Sequence, residues 1–303
     1  MAGGLGASQA RLPPVWRGAL FMLAATSCAA VDTVIVRLVV QGLDPILIAF
    51  FRNLFSLVFM LPWIVAQRRA AIATRRLPMH AFRALLKLLA LSCFYWAVAR
   101  LPLAEVTAIT FSTPLFVALG AVLLLGERLP RARALATLAG FLGVLIVLRP
   151  GGPGFGPGTI AALLAALGLA GVALSVKSLS RTDPPDTIVV LNLLLSAPLG
   201  LLLALPVWRT PGLALLGWLV VQGVLGAVAQ LAVTRAMRLA DASTIVPIDF
   251  LRLPIVGLLA FLAFGEVADL WTWLGGAVIV AATIQGIRGG GRLSGVAGGR
   301  GGR

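Results

Sequence analysis

Four charged residues stand where an apolar chain has least use for them. Asp32 and Arg52 fall inside the first two long apolar runs, and Asp249 and Arg252 fall inside the ninth. A charge at the centre of a bilayer costs at least ~2.5–3.5 kcal/mol, so each of the four needs a partner or a task. A carboxylate beside a guanidinium can be neutralised by it. A carboxylate on a cavity wall can also hold a proton or a cationic group. Asp32 and Arg52 are expected at similar depths, and the i,i+3 spacing of Asp249 and Arg252 puts them on one helix face. Two readings stand for each pair: a lock between helices, or a part in handling solute and protons.

Weaker candidates surround them. Gln222 and Gln230, eight residues apart, are expected to share a face, and Asn53 and Asn192 occupy roughly corresponding positions in the two halves of the chain. Hydrogen bonding between helices is the ordinary role of such residues. Tyr95 and Trp96 could stack on a planar solute, although packing is the commoner use of membrane aromatics. His80, Arg83 and Lys87 share a face near a helix end, which suggests a stripe of long side chains reaching the interface. Other chemistries are poorly served. With one His and two Cys (Cys28 and Cys93), neither a disulfide scaffold nor a His-rich metal site can be built. A two-His metalloprotease motif and a phosphate-binding Gly-x-x-x-x-Gly-Lys-Ser/Thr element are also missing, and no nucleophile elbow accompanies His80. No enzyme activity, metal or cofactor is expected.

The elements that must hold these residues follow from composition. Of 303 residues, 60% are hydrophobic and 12% charged, with mean hydropathy +1.03. A soluble domain carries about 25% charged residues. The chain therefore reads as an all-α integral membrane protein. Continuous apolar runs exclude the alternating pattern of a barrel. Since a bilayer needs about 20 helical residues per crossing, ten spans are expected: 17–38, 45–66, 80–99, 103–125, 132–149, 158–178, 186–207, 213–235, 242–264 and 270–287. The first looks like a signal peptide but lacks a small-residue cleavage site, and is read as an uncleaved helix.

The formal net charge of +15 fixes an orientation rather than announcing nucleic acid. With both termini inside, 18 of the 25 Lys and Arg residues fall on cytoplasmic segments and four on the outside, counting Arg37 there. That bias is the one expected of a multi-pass membrane protein with both ends cytoplasmic. Arg52, Lys87 and Arg252 remain inside spans.

The two halves echo each other. Leu-Leu-Leu-Gly-Glu at 123–127 matches Leu-Ala-Phe-Gly-Glu at 262–266, with prolines interrupting the helices before them at Pro114 and at Pro247 and Pro254. Five spans per half make the repeats inverted, an arrangement of transporters that bind solute near the midplane. Together with Ala49-Phe-Phe-Arg-Asn53, the run from Ala99 through Pro114, and Ile245–Leu253, these features resemble a drug/metabolite transporter of the EamA type. The details at Leu101–Glu105 and Asp249–Leu253 are similar to a branch with proposed riboflavin and S-adenosylmethionine carriers.

The resemblance covers about residues 16–287 and implies an N-terminal cytoplasmic segment (1–15), a first five-helix repeat (16–149), a linker (150–157), a second repeat (158–287) and a basic Gly/Arg-rich tail (288–303). It implies that the fifth and tenth spans serve packing or contact in a homodimer. Glu127 and Glu266 are expected to shape turns. The expectation is a secondary transporter using alternating access, without nucleic-acid partners, in which Asp32 or Asp249 handles protons. Export of a small amino-acid-like, nucleoside-like or drug-like metabolite is the first reading. Import of a planar cofactor is the second, and flipping of a lipid-linked sugar the third.

Overall fold

In a bilayer core an apolar segment must satisfy its own backbone, and a helix does so within one segment. The computed structural model describes residues 13–66, 73–126, 131–149, 155–239 and 246–297, and every regular element among them is helical. The first half holds α1 (Pro14–Val39), α2 (Pro45–Ala66), α3 (Leu77–Val98), α4 (Leu103–Thr110), α5 (Thr113–Leu125) and α6 (Arg131–Leu148). The second holds α7 (Pro157–Leu179), α8 (Pro185–Ala204), α9 (Leu213–Leu239), α10 (Arg252–Phe264) and α11 (Leu270–Ala297), with 3-10 turns at Leu205–Val207 and Val246–Leu251. Prolines open α1, α3, α5, α7 and α8, where the missing N–H costs nothing.

Among the described residues seven helices are long and apolar enough to cross a membrane, counting Leu103–Leu125 as one, and shorter apolar helices occupy Ala134–Leu148 and Leu270–Gln285. The fourth expected span is thus two helices. In the ninth, residues 240–245 lie outside the described part, and a 3-10 turn precedes α10. The last helix runs on to Ala297, into the segment expected as a tail, although glycine is a poor helix former.

The halves interlock rather than sit side by side. α1 packs on α9 and α3 on α7, so the first helix of each half lies against the third long helix of the other. α2 is wedged between α8 and α9. The shared core includes Leu47, Leu88, Tyr95, Leu103, Ile109, Leu219 and Val256. Leucines 123, 124, 138, 142 and 262 point outward, as lipid-facing positions should.

α6 and α11 form the most intimate pair, and glycine explains it. A Cβ on Gly275 would lie 2.4 Å from a Val147 methyl and 2.7 Å from the Gly143 carbonyl oxygen, and one on Gly143 would lie 2.9 Å from the Gly275 oxygen. Small residues let membrane helices approach this closely. Gly275→Val is expected to force the helices apart, at the ~1–3 kcal/mol typical of overpacking. Thermal unfolding of the purified protein in detergent measures this, and an unshifted midpoint would contradict so close a crossing.

Candidate functional site

The interrupted helices build the site. α4 stops at Thr110 and α5 starts at Thr113, with Pro114 in its first turn. Hydroxyls cover carbonyls at the break: Thr110 Oγ1 donates to Val106 (3.0 Å), Ser112 Oγ to Ile109 (2.6 Å) and Thr113 Oγ1 to Thr110 (2.7 Å). In the other half Pro247 lies in the 3-10 turn and Pro254 in the first turn of α10. α5 and α10 are both 13 residues long. Each ends on a left-handed glycine, Gly126 at φ 65° and Gly265 at φ 68°, which a side chain would strain. The Gly of each Gly-Glu pair is therefore a helix cap. The caps are 139 residues apart (265 less 126), and at that offset Phe111 corresponds to Phe250, Thr110 to Asp249 and Thr113 to Arg252. The two breaks meet in space, where Phe111 and Phe250 contact edge to face with centroids 5.2 Å apart.

Around this contact lies a cavity of about 360 Å³, within the range of small-molecule sites. α1 contributes Ala29, Asp32 and Thr33; α2 contributes Arg52; α3 contributes Leu91, Phe94 and Tyr95; α7 contributes Leu169. The breaks supply Thr110, Phe111, Thr113, Pro114, Asp249, Phe250 and Arg252. Arg52 Nη2 is 3.3 Å from Asp32 Oδ2, and Arg252 Nη2 is 3.5 Å from Asp249 Oδ2. Thr26 Oγ1 donates to the other Asp249 oxygen at 3.2 Å. The Arg252 guanidinium lies 5.1 Å from the Phe111 ring centre. Asp32 Oδ1, Arg52 Nε and Arg252 Nε are buried with no hydrogen-bond partner among the described residues. Such atoms need a partner to offset their desolvation. Aromatic faces with donors and acceptors at their rim suit a flat solute with a polar edge.

The remaining expected residues separate. Gln222 is fully buried, and its Nε2 is 3.5 Å from the Tyr95 hydroxyl. Asn53 is buried, accepts from Lys87 Nζ at 3.0 Å and donates to Ala49 at 2.7 Å. Asn192 is buried with Oδ1 unbonded, away from the cavity lining. Gln230 does not share the Gln222 face: it is exposed, because eight residues overshoot two turns by about 80°. Trp96 also turns away from the cavity. It lines a separate apolar groove with Cys93 and Pro157, and the Arg100 guanidinium lies 3.4 Å from its ring centre. Glu127 lies outside the described residues.

The His80–Arg83–Lys87 stripe faces inward instead of toward the interface. His80 is fully buried with Nε2 2.7 Å from Asp183 Oδ2, Arg83 donates to the Ile188 carbonyl at 3.0 Å, and Lys87 reaches Asn53.

Contacts between the halves tie them together at both ends of the bundle. At one end Thr74 Oγ1 also donates to Asp183 (2.7 Å), and Arg76 donates to the Ser178 carbonyl (2.9 Å) and hydroxyl (3.0 Å). Hydrogen bonds from His80 first and Thr74 second hold the Asp183 carboxyl below its ordinary range. At the opposite end Glu266 does more than shape a turn. Its Oε1 is 2.5 Å from Arg37 Nη2 and its Oε2 accepts from the Leu103 N–H at 2.9 Å. Arg37 also donates to the carbonyls of Val98 and Leu101. Arg149 and Asp269 pair at the same end.

The model of the EamA-like transporter family matches residues 16–149 and again 156–285. The chain belongs to that family. It is 36% identical over 269 residues to a riboflavin transporter of Vibrio cholerae, covering 87% of this chain and 90% of the relative. An S-adenosylmethionine uptake transporter of Rickettsia bellii is 28% identical over 264 residues, with 87% and 90% covered. A solved crystal structure shares the fold at a TM-score of 0.61 with 19% identity, over 92% of this chain and 98% of the other. The resemblance to drug/metabolite transporters thus holds, down to the branch with riboflavin and S-adenosylmethionine carriers. The protein is a multi-pass membrane transporter of the EamA-like family.

Phe94, Phe111 and Phe250 were not singled out from the sequence. Aligning the halves at the Gly-Glu offset and reading back to position 111 brings out the last two.

Proposed function

We propose that this EamA-like transporter takes up a planar heteroaromatic solute of the riboflavin class by alternating access. The carrying observation is the cavity where the two helix breaks cross, walled by Phe94, Tyr95, Phe111 and Phe250 and rimmed by the Asp32–Arg52 and Asp249–Arg252 pairs. The V. cholerae relative, named for riboflavin, supports the solute class. In this reading the chain forms ten spans in a bacterial inner membrane with both termini cytoplasmic, in the two repeats 16–149 and 158–287. The His80–Asp183 end is then cytoplasmic and the Arg37–Glu266 end periplasmic. Rocking of the interlocked halves about the cavity opens one end while the other stays tied.

The test is counterflow and uptake of labelled riboflavin in proteoliposomes, with S-adenosylmethionine and lumichrome (the bare ring system) as competitors. Riboflavin is expected to exchange and lumichrome to compete. Phe250→Ala is expected to weaken affinity roughly 5- to 150-fold, taking stacking as ~1–3 kcal/mol per ring. Competition by S-adenosylmethionine alone would replace the solute class. Movement of a labelled lipid without riboflavin would replace transport of a soluble compound with flipping. Net efflux under every gradient would reverse the direction.

A further inference from the structure

The chain makes 23 of its 25 cationic residues arginine and keeps only two lysines, Lys87 and Lys177. Arginine keeps its charge throughout the accessible pH range, whereas a lysine can shed its proton. One of the two lysines stands at mid-height in α3, within the membrane-crossing part of the bundle.

Lys87 has unusual company there. It is partly buried, its Nζ points onto the buried Asn53 of α2, and among the described residues no carboxylate pairs with it. The Asp32 carboxylate on α1 is taken by Arg52. Arg52 itself adjoins Asn53 in sequence, and Arg83 stands one turn along α3, where it donates to the Ile188 carbonyl. α7 brings Lys177 only near its end, α4 brings Glu105 at its start, and residues 187–204 of α8 include no charged side chain. Two cations with no counter-charge among the described residues are costly in a membrane interior. Arg83 cannot lower that cost by losing a proton, and Lys87 can. The bond to Asn53 survives the change, because an amine still donates to an amide oxygen.

Its place in the fold fits a proton site. Leu91 and Tyr95, one and two turns farther along α3, line the cavity, while His80, two turns the other way, is tied to Asp183 at the bundle end. Lys87 therefore lies between the solute and the contact that closes that end.

We propose that Lys87 is the proton-carrying residue of the transport cycle. Its Nζ takes one proton from water when the cavity faces the acidic side and releases it to water when the cavity faces the other. This rests on the uptake reading above and adds its energy source.

Proteoliposomes with a pH gradient of about one unit, acid outside, test both. The wild-type protein is expected to exchange riboflavin and to accumulate it about tenfold at one proton per solute. Lys87→Gln and Lys87→Arg, reconstituted at equal abundance, are expected to exchange but not accumulate. Asn53→Asp, which gives the ammonium a permanent counter-charge, should also stop accumulation without removing Lys87. Gradient-driven accumulation by Lys87→Arg, or by Lys87→Gln at the wild-type level, overturns the assignment. So does loss of exchange along with accumulation in all three variants, which would make the residue structural. Exchange without any gradient response in the wild type refutes the proton role and leaves riboflavin transport standing. Absence of wild-type exchange removes the uptake reading, and this inference with it.

Discussion

Arg52→Leu and Asp32→Asn are each expected to lose most folded protein, while Asp32→Asn combined with Arg52→Gln is expected to regain the fold without regaining transport. The two side chains are only 17% and 14% exposed and 3.3 Å apart. Removing one partner of a buried pair leaves an uncompensated charge, at about 3–5 kcal/mol. A marginally stable protein has little more than that to lose. The neutral double variant restores balance and keeps polar atoms of similar shape. What it lacks is the charged rim of the cavity, where Asp32 Oδ1 and Arg52 Nε have no hydrogen-bond partner among the described residues. If those atoms bind solute, losing two charged hydrogen bonds at about 1.5–3 kcal/mol each lowers uptake at least ~100-fold. Fluorescence-detected size exclusion reports the fold, and proteoliposome uptake the function. Wild-type uptake by the double variant would reduce the pair to a lock between α1 and α2.

That pair was legible in the sequence because a membrane leaves so few charges to match. The helices were legible for a related reason: a bilayer demands long unbroken apolar runs, so 45–66 could be read as written, and Pro114 marked the break between α4 and α5. What could not be read was the direction in which each helix faces. In a soluble protein the apolar stripe points to the core, but lipid is as apolar as a core, so a membrane helix is hydrophobic all round. The His80–Lys87 stripe therefore reads as interfacial in the sequence, although packing of α3 on α2, α7 and α8 turns it inward. Trp96 follows Tyr95 in sequence, yet adjacent residues differ by about 100° around the helix axis. Arg37 looked like an ordinary outer-loop cation, since its partner lies 229 residues away.

That long-range partner leads to the second large effect, expected of Glu266→Gln. One carboxylate joins three parts of the molecule: Arg37 of α1, the first N–H of α4, and the turn after α10. Arg37 continues the contact to the carbonyls of Val98 and Leu101, so the corner between α3 and α4 is held from two sides. The first helix of one half is thus tied to the capped helix of the other, and this end cannot open while the tie persists. Gln keeps the shape and the acceptor for Leu103 but gives up the charge-assisted bond to Arg37. Losing about 1.5–3 kcal/mol from one of two states shifts their ratio by roughly 10- to 150-fold. A cycle needs both states, so transport falls even though the cavity is untouched. Single cysteines at Leu101 and Leu103, in an otherwise Cys-free protein, report the change. With Glu266→Gln, their alkylation by a water-soluble maleimide in the detergent-solubilised protein is expected to accelerate while that of Leu179→Cys, fully buried at the opposite end, slows. Equal acceleration at both ends would mean general loosening. No change at either end would show that the Arg37–Glu266 contact does not set which end is closed.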